Sequence, residues 1–392
     1  MSSIITIQSL FVPVSKIRSR QTFYSFRDGN WNDPSIWLSN RYGLIPGADD
    51  DVYINNVVTL NTSSSGNVRS VNNLFITGTL KATNSVTLNV LGNIKSDGAI
   101  DFTNSNINLA LYGWDNYITS FTKGNSTVTY TSSVYQQNIM ELDYNSLTIA
   151  NRGTKILSFD LVLSGNFNVS NTDFDLTSYS LYVAGSTGFS GNATFRKTGP
   201  GSITFIGPIF EPGYGDTFDF SGNPSIEMQG GWGMLANLNT GGGLVSFTQS
   251  QYIYSRGNYA VFNLQNGVIY GGVTLRLYCE SYIENINGNA PTAVFQCDKG
   301  TYAPPDEFRK TVHYTGFTQP MKLGVLDCTT YQSIFSYSRN GDQEVKGTTY
   351  DNLILTGSGI KKLMGDVTVP AAQYTLSGTA ILDTNGFNLN LI

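Results

Sequence analysis

An internal repeat constrains the fold of this 392-residue chain more than any other feature of the sequence. A unit that begins at Tyr144 is repeated from Tyr350 with identical spacing. The matched positions are Tyr144, Leu147, Ile149, Gly153, Lys155, Leu157, Asp160, Leu161 and Leu163 in the first copy, and Tyr350, Leu353, Leu355, Gly359, Lys361, Leu363, Asp366, Val367 and Val369 in the second. Such self-similarity is typical of repeat architectures, in which stacked units close a shared core that none could bury alone.

The similarity extends beyond this unit in both directions. Downstream, residues 177–183 resemble residues 384–391. Upstream, Val128, Tyr130 and Gln136 match Phe335, Tyr337 and Gln343, and the spacing to the tyrosine that begins the unit differs by one residue between the copies. A third, weaker copy is predicted between these two, at Val245, Phe247, Leu264, Val273 and Leu275. Because the copies are unevenly spaced, we expect irregular repeats and no strict short period.

Short apolar runs with period two recur along the chain, and helical periodicity is almost absent. The runs within 86–90, 107–111 and 161–163 are examples, and turn-forming Asn, Gly, Ser and Asp separate them. This pattern predicts an all-β protein. Stacked coils of a β-solenoid fit the repeat best. β-Sandwich modules are the alternative, because alternation alone does not distinguish parallel from antiparallel pairing.

Composition and charge argue against several classes of function. Only 13% of the residues are charged and the net charge is −5, so a basic face for nucleic acid is not expected. Cys279, Cys297 and Cys328 contain no CxxC pair and His313 is the single histidine, so we predict buried, reduced thiols and neither a zinc site nor a cofactor. No stretch approaches the roughly 18 apolar residues of a membrane span. Basic residues follow the apolar start of the chain, which inverts the order of a signal peptide.

The opening of the chain carries a second motif, in which Gly-x-Trp precedes another Trp, a Pro-Gly turn and an acidic Val-x-Ile run. Its residues are Gly29, Trp31, Trp37, Pro46, Gly47, Asp50, Val52 and Ile54. This motif resembles the first coils of Trp-containing β-helical domains of bacterial surface proteins. The Tyr-x-x-Leu-x-Leu repeat is similar to repetitive surface proteins of Bacteroidota and to fibres of their phages. The resemblance implies a right-handed parallel β-helix and carries over no catalytic residue.

Trp31 and Trp37 are interpreted as a structural cap over one end of the solenoid, where strand edges and apolar core need cover. Ligand stacking on these rings is the alternative. The acidic residues Asp49, Asp50 and Asp51 are interpreted as a solvated turn. A calcium site is the alternative there, but the spacing lacks a calcium-loop pattern, so no metal is predicted.

Aromatic residues are dense between 205 and 282, where Gly and Asn separate them. Exposed aromatic rings beside amides suit a sugar-binding surface, because a ring covers the apolar face of a sugar while polar groups bind its hydroxyls. The candidate glycan contacts are Trp232, Tyr252, Tyr254 and Tyr259. Packing within strands is the alternative, since aromatic residues favour strands in any case.

The sequence carries no recognisable catalytic motif. A Ser-His-Asp arrangement would need His313, which lies in a strand-like alternation. Glycan cleavage needs only carboxylates, or a carboxylate with Tyr, Arg or Lys. The candidate acids are Asp216, Asp219, Glu280, Glu284, Asp306 and Glu307. We therefore predict no catalytic residue, and a polysaccharide depolymerase on the same β-helix is the alternative.

Together these observations predict a non-enzymatic virion structural protein, a phage tail or head fibre that adheres to a host-surface glycan. An extracellular type of solenoid without a signal peptide favours synthesis in the host cytoplasm and release by lysis, and a bacterial cell-surface adhesin is the alternative. The predicted parts are an anchoring arm at 1–22 that docks on other virion proteins, a capped solenoid at 23–190, a β-rich middle region at 191–330 and a C-terminal repeat at 331–392. The resemblance implies a homotrimer.

Overall fold

Stacked parallel strands build the whole described chain. The computed structural model describes residues 20–40, 43–61, 67–103, 105–209, 216–230, 232–234, 237–255, 261–298 and 310–392, without the side chains of 232–234, 237, 254 and 255. This chain is 52% strand and 2% helix, and it forms a β-solenoid of about 14 turns. The predicted all-β class and stacked coils are therefore confirmed. No helix in the described ranges has the length and apolarity to cross a bilayer.

The first coils contain strands β1 to β12 and one 3₁₀ helix, Pro34–Ile36. The strands are β1 (Thr22–Ser25), β2 (Gly29–Asn30), β3 (Trp37–Leu38), β4 (Asp51–Ile54), β5 (Val57–Leu60), β6 (Val68–Val71), β7 (Asn73–Ile76), β8 (Thr79–Ala82), β9 (Thr87–Val90), β10 (Ile94–Asp101), β11 (Asn108–Leu111) and β12 (Tyr117–Thr122).

The middle coils contain strands β13 to β30. They are β13 (Thr127–Tyr130), β14 (Gln137–Asn138), β15 (Ser146–Ala150), β16 (Lys155–Ile156), β17 (Leu161–Leu163), β18 (Phe167–Ser170), β19 (Asp173–Asp175), β20 (Leu181–Val183), β21 (Thr187–Ser190), β22 (Thr194–Arg196), β23 (Ser202–Phe205), β24 (Thr217–Asp219), β25 (Ser225–Met228), β26 (Trp232–Met234), β27 (Asn237–Asn239), β28 (Val245–Phe247), β29 (Gln251–Ser255) and β30 (Val261–Leu264).

The last coils contain strands β31 to β45 and a second 3₁₀ helix, Ala371–Gln373. The strands are β31 (Gly267–Ile269), β32 (Thr274–Tyr278), β33 (Glu280–Ile283), β34 (Ile286–Gly288), β35 (Val294–Asp298), β36 (Thr311–Tyr314), β37 (Val325–Tyr331), β38 (Ile334–Tyr337), β39 (Gln343–Val345), β40 (Asn352–Leu355), β41 (Ser358–Leu363), β42 (Val367–Val369), β43 (Tyr374–Leu376), β44 (Thr379–Asp383) and β45 (Leu389–Leu391).

Pairing between successive coils produces long sheets that run along the solenoid. Among the described strands, only β1 and β3 pair antiparallel, and the other pairs between strands are parallel. The largest sheet has 12 strands, from β14 to β43 in the order β14-β16-β19-β22-β24-β27-β30-β33-β36-β38-β40-β43. This sheet crosses the predicted part boundaries at 190/191 and 330/331.

Apolar side chains in register form ladders that fill the interior. One ladder links Leu88, Leu109, Val128, Leu147 and Phe167 on five successive coils. All five are at most 1% exposed. Burial of each such side chain contributes about 1.5–3 kcal/mol. The alternate residues point outward, so a register slip of one residue would expose the whole ladder.

The two repeat copies have equivalent settings in the structure. In the first copy the hydroxyl oxygens of Tyr130 and Tyr144 are 2.9 Å apart, and in the second those of Tyr337 and Tyr350 are 2.8 Å apart. All four rings are completely buried. The identical spacing in the sequence therefore corresponds to a repeated arrangement of core side chains.

One upstream match requires correction by a single residue. The equivalent of Gln343 is Gln137, whereas Gln136 is exposed. Gln137 Nε2 donates to two carbonyl oxygens of the preceding coil at 2.9 and 2.7 Å, and Gln343 Nε2 does the same at 2.8 and 2.9 Å. Two adjacent glutamines fit the sequence match equally well, and only the inward direction of one side chain distinguishes them.

The Gly-x-Lys part of the repeat holds a buried ammonium group between coils. Lys155 Nζ donates to the carbonyl oxygens of Ser132 (2.9 Å) and Gly153 (2.7 Å), and Lys361 Nζ donates to that of Arg339 (2.7 Å). A Cβ atom on Gly153 would lie 2.5 Å from the Ser132 oxygen, so glycine permits this close approach. Burial lowers the pKa of both lysines to about 8.

The third predicted copy is wrong. In the first copy Val128 pairs with Leu147 on the next coil, but Val245 pairs with Gly267. Leu264, the expected partner, lies on β30 in a different sheet. The interval that suggested this copy is close to the length of one coil, so apolar positions recur at that distance without forming the repeated unit.

Candidate functional site

The structure describes the side chain of one predicted glycan contact. Tyr252 lies on β29, half-buried on the outer face of a sheet of five strands in the order β26-β29-β32-β35-β37. Trp232 and Tyr254 belong to β26 and β29, but their side chains are outside the described set, and Tyr259 is outside the described residues. The structure therefore brings Tyr252 into a site whose other members come from later coils.

A stacked guanidinium group is the centre of this site. Tyr252 is in register with Arg276 on β32. The guanidinium carbon of Arg276 lies 4.6 Å from the ring centroid of Tyr252 and 3.5 Å from that of Tyr331. A cation over an aromatic ring is attracted to its π face, and arginine adds planar stacking. The two tyrosines thus hold the guanidinium in a fixed plane at the surface.

A buried carboxylate completes the site. Asp298 Oδ2 accepts hydrogen bonds from Arg276 Nε at 2.8 Å and from the Tyr252 hydroxyl at 3.3 Å, and it lies 2.5 Å from Arg276 Nη2. The Asp298 side chain is fully buried and that of Arg276 is 24% exposed. We call Tyr252, Arg276, Asp298 and Tyr331 the Tyr–Arg platform. It places an ordered, nearly neutral polar surface between aromatic rings.

The Tyr252 hydroxyl of the platform stays protonated and can donate a hydrogen bond. Burial, and then the nearby Asp298 carboxylate, raise the pKa of Tyr252 far above its ordinary value. The same two causes raise the pKa of Tyr278, which is in register with Tyr254 on the neighbouring strand. Both hydroxyls are therefore protonated at neutral pH. A tyrosine held in this form donates hydrogen bonds and is a poor general base.

An irregular register brings the last ring into the platform. Gln296 pairs with Asp327, and the next pair joins Asp298 to Tyr331. Between these two pairs β35 advances by two residues and β37 by four, so β37 contains two extra residues. Asp327 Oδ1 accepts hydrogen bonds from the backbone N–H groups of Thr329 and Thr330, both at 3.1 Å. These bonds hold the bulge, which is a common way of redirecting a side chain at the rim of a sheet.

Arg276, Asp298 and Tyr331 were not predicted as site residues. The Tyr252 hydroxyl reaches across 46 positions of sequence to Asp298. The bulge before Tyr331 also shifts the register that a strict period would predict. The only available signal was the alternation around Arg276, which places Arg276 on the outward face of a strand.

The single histidine belongs to a second polar cluster around the next corner of the coil. His313 Nε2 lies 2.7 Å from Glu280 Oε1, and Thr311 N donates to Oε2 at 3.0 Å. The His313 ring stacks on Tyr282 with centroids 4.7 Å apart. Burial raises the pKa of Glu280, but the hydrogen bonds from His313 and Thr311 outweigh it and lower this pKa overall. Glu280 is therefore ionised and is a poor proton donor.

Two of the other candidate acids, Asp216 and Asp219, accept backbone hydrogen bonds. Asp216 is buried and accepts the Ala193 backbone N–H at 2.5 Å. Asp219 accepts the N–H of Ser221 at 3.1 Å within its own turn. Glu284 is exposed, and Asp306 and Glu307 are outside the described residues.

Asp219 and Glu280 are too far apart on their sheet for paired glycosidase chemistry. Asp219 is in register with Tyr282 three strands away, through Asn239 and Asn263. Three strand spacings amount to about 14 Å. Glu280 begins β33 and Glu284 follows its last residue, Ile283, so about 10 Å of extended strand separates Glu280 from Ile283. Glycosidase carboxyl groups are about 5–9.5 Å apart.

The acidic turn near the N-terminal end binds protein donors. Asp50 accepts the backbone N–H groups of Gln21 (3.0 Å) and Gly47 (2.8 Å), while Asp49 is exposed. Asp51 lies 2.6 Å from an Arg20 guanidinium nitrogen and also accepts two asparagine amides at 2.9 Å. Donors and a cationic side chain thus face these oxygens, and the interpretation as a solvated turn is wrong for Asp50, which is buried. Within the described ranges, no three His, Cys, Asp or Glu residues form a metal-binding group.

The two tryptophans of the opening motif pack together in the first coil. Trp31 is fully buried and Trp37 is 6% exposed, with ring centroids 5.2 Å apart. Trp37 Nε1 donates to the carbonyl oxygen of Trp31 at 2.8 Å. The Trp37 ring also contacts Phe23, which pairs with Val52 on β4. Both rings thus belong to the core, and capping remains our interpretation of their role.

Comparisons with protein-family models, with curated proteins and with solved structures give no match to this chain. The geometry of the solenoid and of the Tyr–Arg platform is therefore the basis for assigning a function.

Proposed function

We propose that this chain is a non-enzymatic structural and adhesive protein, a fibre component of a virus particle whose Tyr–Arg platform binds a host-surface glycan. The observation that carries the adhesive part is the guanidinium of Arg276 between the rings of Tyr252 and Tyr331, over the buried carboxylate of Asp298. A preformed arrangement of this kind loses little entropy on binding, which favours weak surface ligands such as sugars.

The platform offers complementary groups for a pyranose ring. Aromatic surface covers the apolar face of a sugar, and the partly exposed Arg276 donates to its hydroxyl or carboxylate oxygens. The neighbouring Gln296 adds an amide on the same sheet face, in register with Arg276.

The fibre part of the proposal rests on the solenoid and on the sequence resemblance to surface proteins of Bacteroidota and fibres of their phages. A continuous stack of about 14 turns is a suitable stalk. In this proposal the arm at 1–22 docks on other virion proteins and the chains assemble as a homotrimer. A bacterial cell-surface adhesin would use the same stalk and platform, and immunogold labelling of purified particles against whole cells distinguishes the two locations.

Binding of purified full-length protein to immobilised polysaccharides from candidate host bacteria tests the adhesive function. Tyr331→Ala removes one ring of the platform and leaves the ion pair of Arg276 with Asp298 in place. We expect this variant to lose most of the binding, whereas Tyr182→Ala, which removes an exposed tyrosine on β20, should bind as the parent does. Equal binding by both variants would remove the platform from the proposal.

A depolymerase is the second candidate function, and one observation favours it. Asp298 and Asp327 lie on neighbouring strands, two residues out of register, so their backbones are about 8 Å apart. Both carboxylates are occupied, one by Arg276 and the other by the bulge. Release of new reducing ends or unsaturated uronates from a bound polysaccharide, abolished in Asp327→Asn, would establish cleavage in place of adhesion alone.

A further inference from the structure

Cys297 and Cys328 lie beside each other in the core on consecutive coils. Their Sγ atoms are 3.9 Å apart and both residues are completely buried. Each follows one member of the registered pair Gln296 and Asp327. Neighbouring strands are about 4.8 Å apart, and the Cα atoms of a disulfide are usually about 4.4–6.8 Å apart. The strand spacing therefore suits a bond between these two sulfurs.

We propose that Cys297 and Cys328 are a cross-coil disulfide site, which closes when the chain folds in the presence of a disulfide oxidant such as oxidised glutathione. One cysteine thiolate attacks the glutathione disulfide and releases a glutathione thiolate. The second cysteine thiolate then attacks the sulfur of the first cysteine in this mixed disulfide, which forms the bond between the two cysteines and releases the other glutathione as a thiolate. Two protein thiols lose two electrons, the oxidant gains both, and the two protons pass to the released glutathione thiols.

The bond forms while the coils are assembling. All three cysteines are free and buried in the described structure. Burial raises the pKa of the Cys328 thiol well above its ordinary value, so little thiolate is present once the coils have packed. Exchange with glutathione in the folded protein is consequently slow. The oxidant must reach the sulfurs before the core closes, as it does when the unfolded chain is refolded with oxidised glutathione.

The bond would fix the irregular part of the sheet that supports the surface site. Cys328 begins the stretch that precedes Tyr331, and Cys297 directly precedes Asp298. A covalent link between the two strands therefore holds the register that places Tyr331 opposite Asp298. Cys279 lies outside this registered pair, at the corner between β32 and β33, and its sulfur lies 3.3 Å from the hydroxyl of Ser281.

Oxidative refolding tests the site with the full chain. The protein is unfolded with reductant, refolded with mixed oxidised and reduced glutathione or with dithiothreitol alone, and its thiols are then counted under denaturing conditions. We expect one thiol per chain after oxidative refolding and three after refolding in dithiothreitol. Non-reducing peptide mapping should link the peptides that contain Cys297 and Cys328. The thermal midpoint should rise by about 5 °C, since the bond closes a long loop.

Two matched variants identify the sulfurs. Cys279→Ser should still form the link and retain no free thiol, whereas Cys328→Ala should retain both remaining thiols and show no rise in midpoint on oxidation. Three free thiols in oxidatively refolded parent protein, or a link that contains Cys279, would overturn the proposal. If Cys328→Ala fails to fold, as circular dichroism would show, peptide mapping of the parent protein exported to a bacterial periplasm gives the same decision.

Discussion

The hydroxyl oxygen of Tyr144 lies 2.9 Å from that of Tyr130 inside the core of the solenoid. Tyr144 donates to the carbonyl oxygen of Met140 at 2.5 Å, and the Met140 N–H donates to Tyr130 at 2.9 Å. The two phenols thereby provide hydrogen-bond partners for both the backbone N–H and the carbonyl oxygen of Met140. Burial raises the pKa of Tyr130 to about 12, so this network is neutral at physiological pH.

Removal of one phenol hydroxyl should destabilise the repeat. Tyr144→Phe deprives Tyr130 and the Met140 carbonyl oxygen of a partner in a buried setting, which costs about 1–3 kcal/mol. Tyr350→Phe should cost a similar amount in the second copy, because the hydroxyls of Tyr337 and Tyr350 make the same contact. Urea unfolding followed by circular dichroism measures both losses. Tyr135→Phe, at an exposed site in the same loop, is the control. Unfolding free energies equal to the parent's would show that these hydrogen bonds contribute nothing net.

Truncation of Trp37 tests the capping interpretation. Trp37→Ala removes a buried ring and the hydrogen bond to the carbonyl of Trp31, and a large core truncation of this kind costs about 3–5 kcal/mol. Trp114→Ala removes an indole that is 58% exposed and should cost less than about 0.5 kcal/mol. Thermal unfolding of the two variants beside the parent gives the comparison. A parent-like midpoint for Trp37→Ala would contradict a capping role.

The buried lysine of the second copy makes stability depend on pH. Burial lowers the pKa of Lys361 from 10.5 to about 8. Below pH 8 both the folded and unfolded chains carry the charge, and the folded chain bears the full cost of burying it. Between about pH 8 and 10.5 the unfolded chain binds more protons, so stability rises with pH in that window.

Lys361→Met isolates this effect from other titrating groups. The free energy of unfolding of the parent minus that of the variant should increase as the pH is raised from about 7.5 to about 9.5. Cysteines and tyrosines that titrate nearby are common to both proteins and cancel in the difference. Lys362→Met, which removes the adjacent exposed lysine, should show no such trend. A difference independent of pH for Lys361→Met would mean that the ammonium keeps its ordinary pKa.

Arginine at position 276 should be required for glycan binding beyond its charge. Arg276→Lys preserves a cation near Asp298 but loses the planar group that stacks on both tyrosine rings. We expect polysaccharide affinity to fall about 5- to 30-fold, in keeping with a cation–π contribution of roughly 1–2 kcal/mol. Isothermal titration calorimetry gives the affinity. Unchanged affinity in a folded Arg276→Lys variant would show that stacking has no part in recognition.

Sequence patterns could predict the ladders of the fold but not the contacts between distant coils. Leu147 and Leu353 were placed in the core by period-two alternation, because each strand must bury one face. Whether Gln136 or Gln137 points into the core depends on which residue forms the corner of the coil. Asn, Gly and Ser can form such a corner at several positions, so the sequence does not fix it. The contact of Tyr252 with Asp298 depends on the lengths of the intervening coils and on the bulge before Tyr331. Neither the coil lengths nor the bulge produces a periodic pattern in the sequence, so this contact could not be predicted.

Equivalent leucines in the two repeats should differ in their contribution to stability because of their places in the stack. Leu181 on β20 pairs with Leu161, and Leu389 on β45 pairs with Val367 in the same way. Leu181 is 1% exposed because β23 covers it on the next coil, whereas no strand within the described residues lies beyond β45.

We therefore expect Leu181→Ala to cost about 2–5 kcal/mol and Leu389→Ala less than half as much. Urea unfolding measures the two losses, and hydrogen exchange should show faster opening of β45 than of β20, since among the described strands β45 pairs with β42 alone. Equal losses at the two positions would show that the last coil is covered in solution, and a change in molecular mass on dilution would then identify a second chain as that cover.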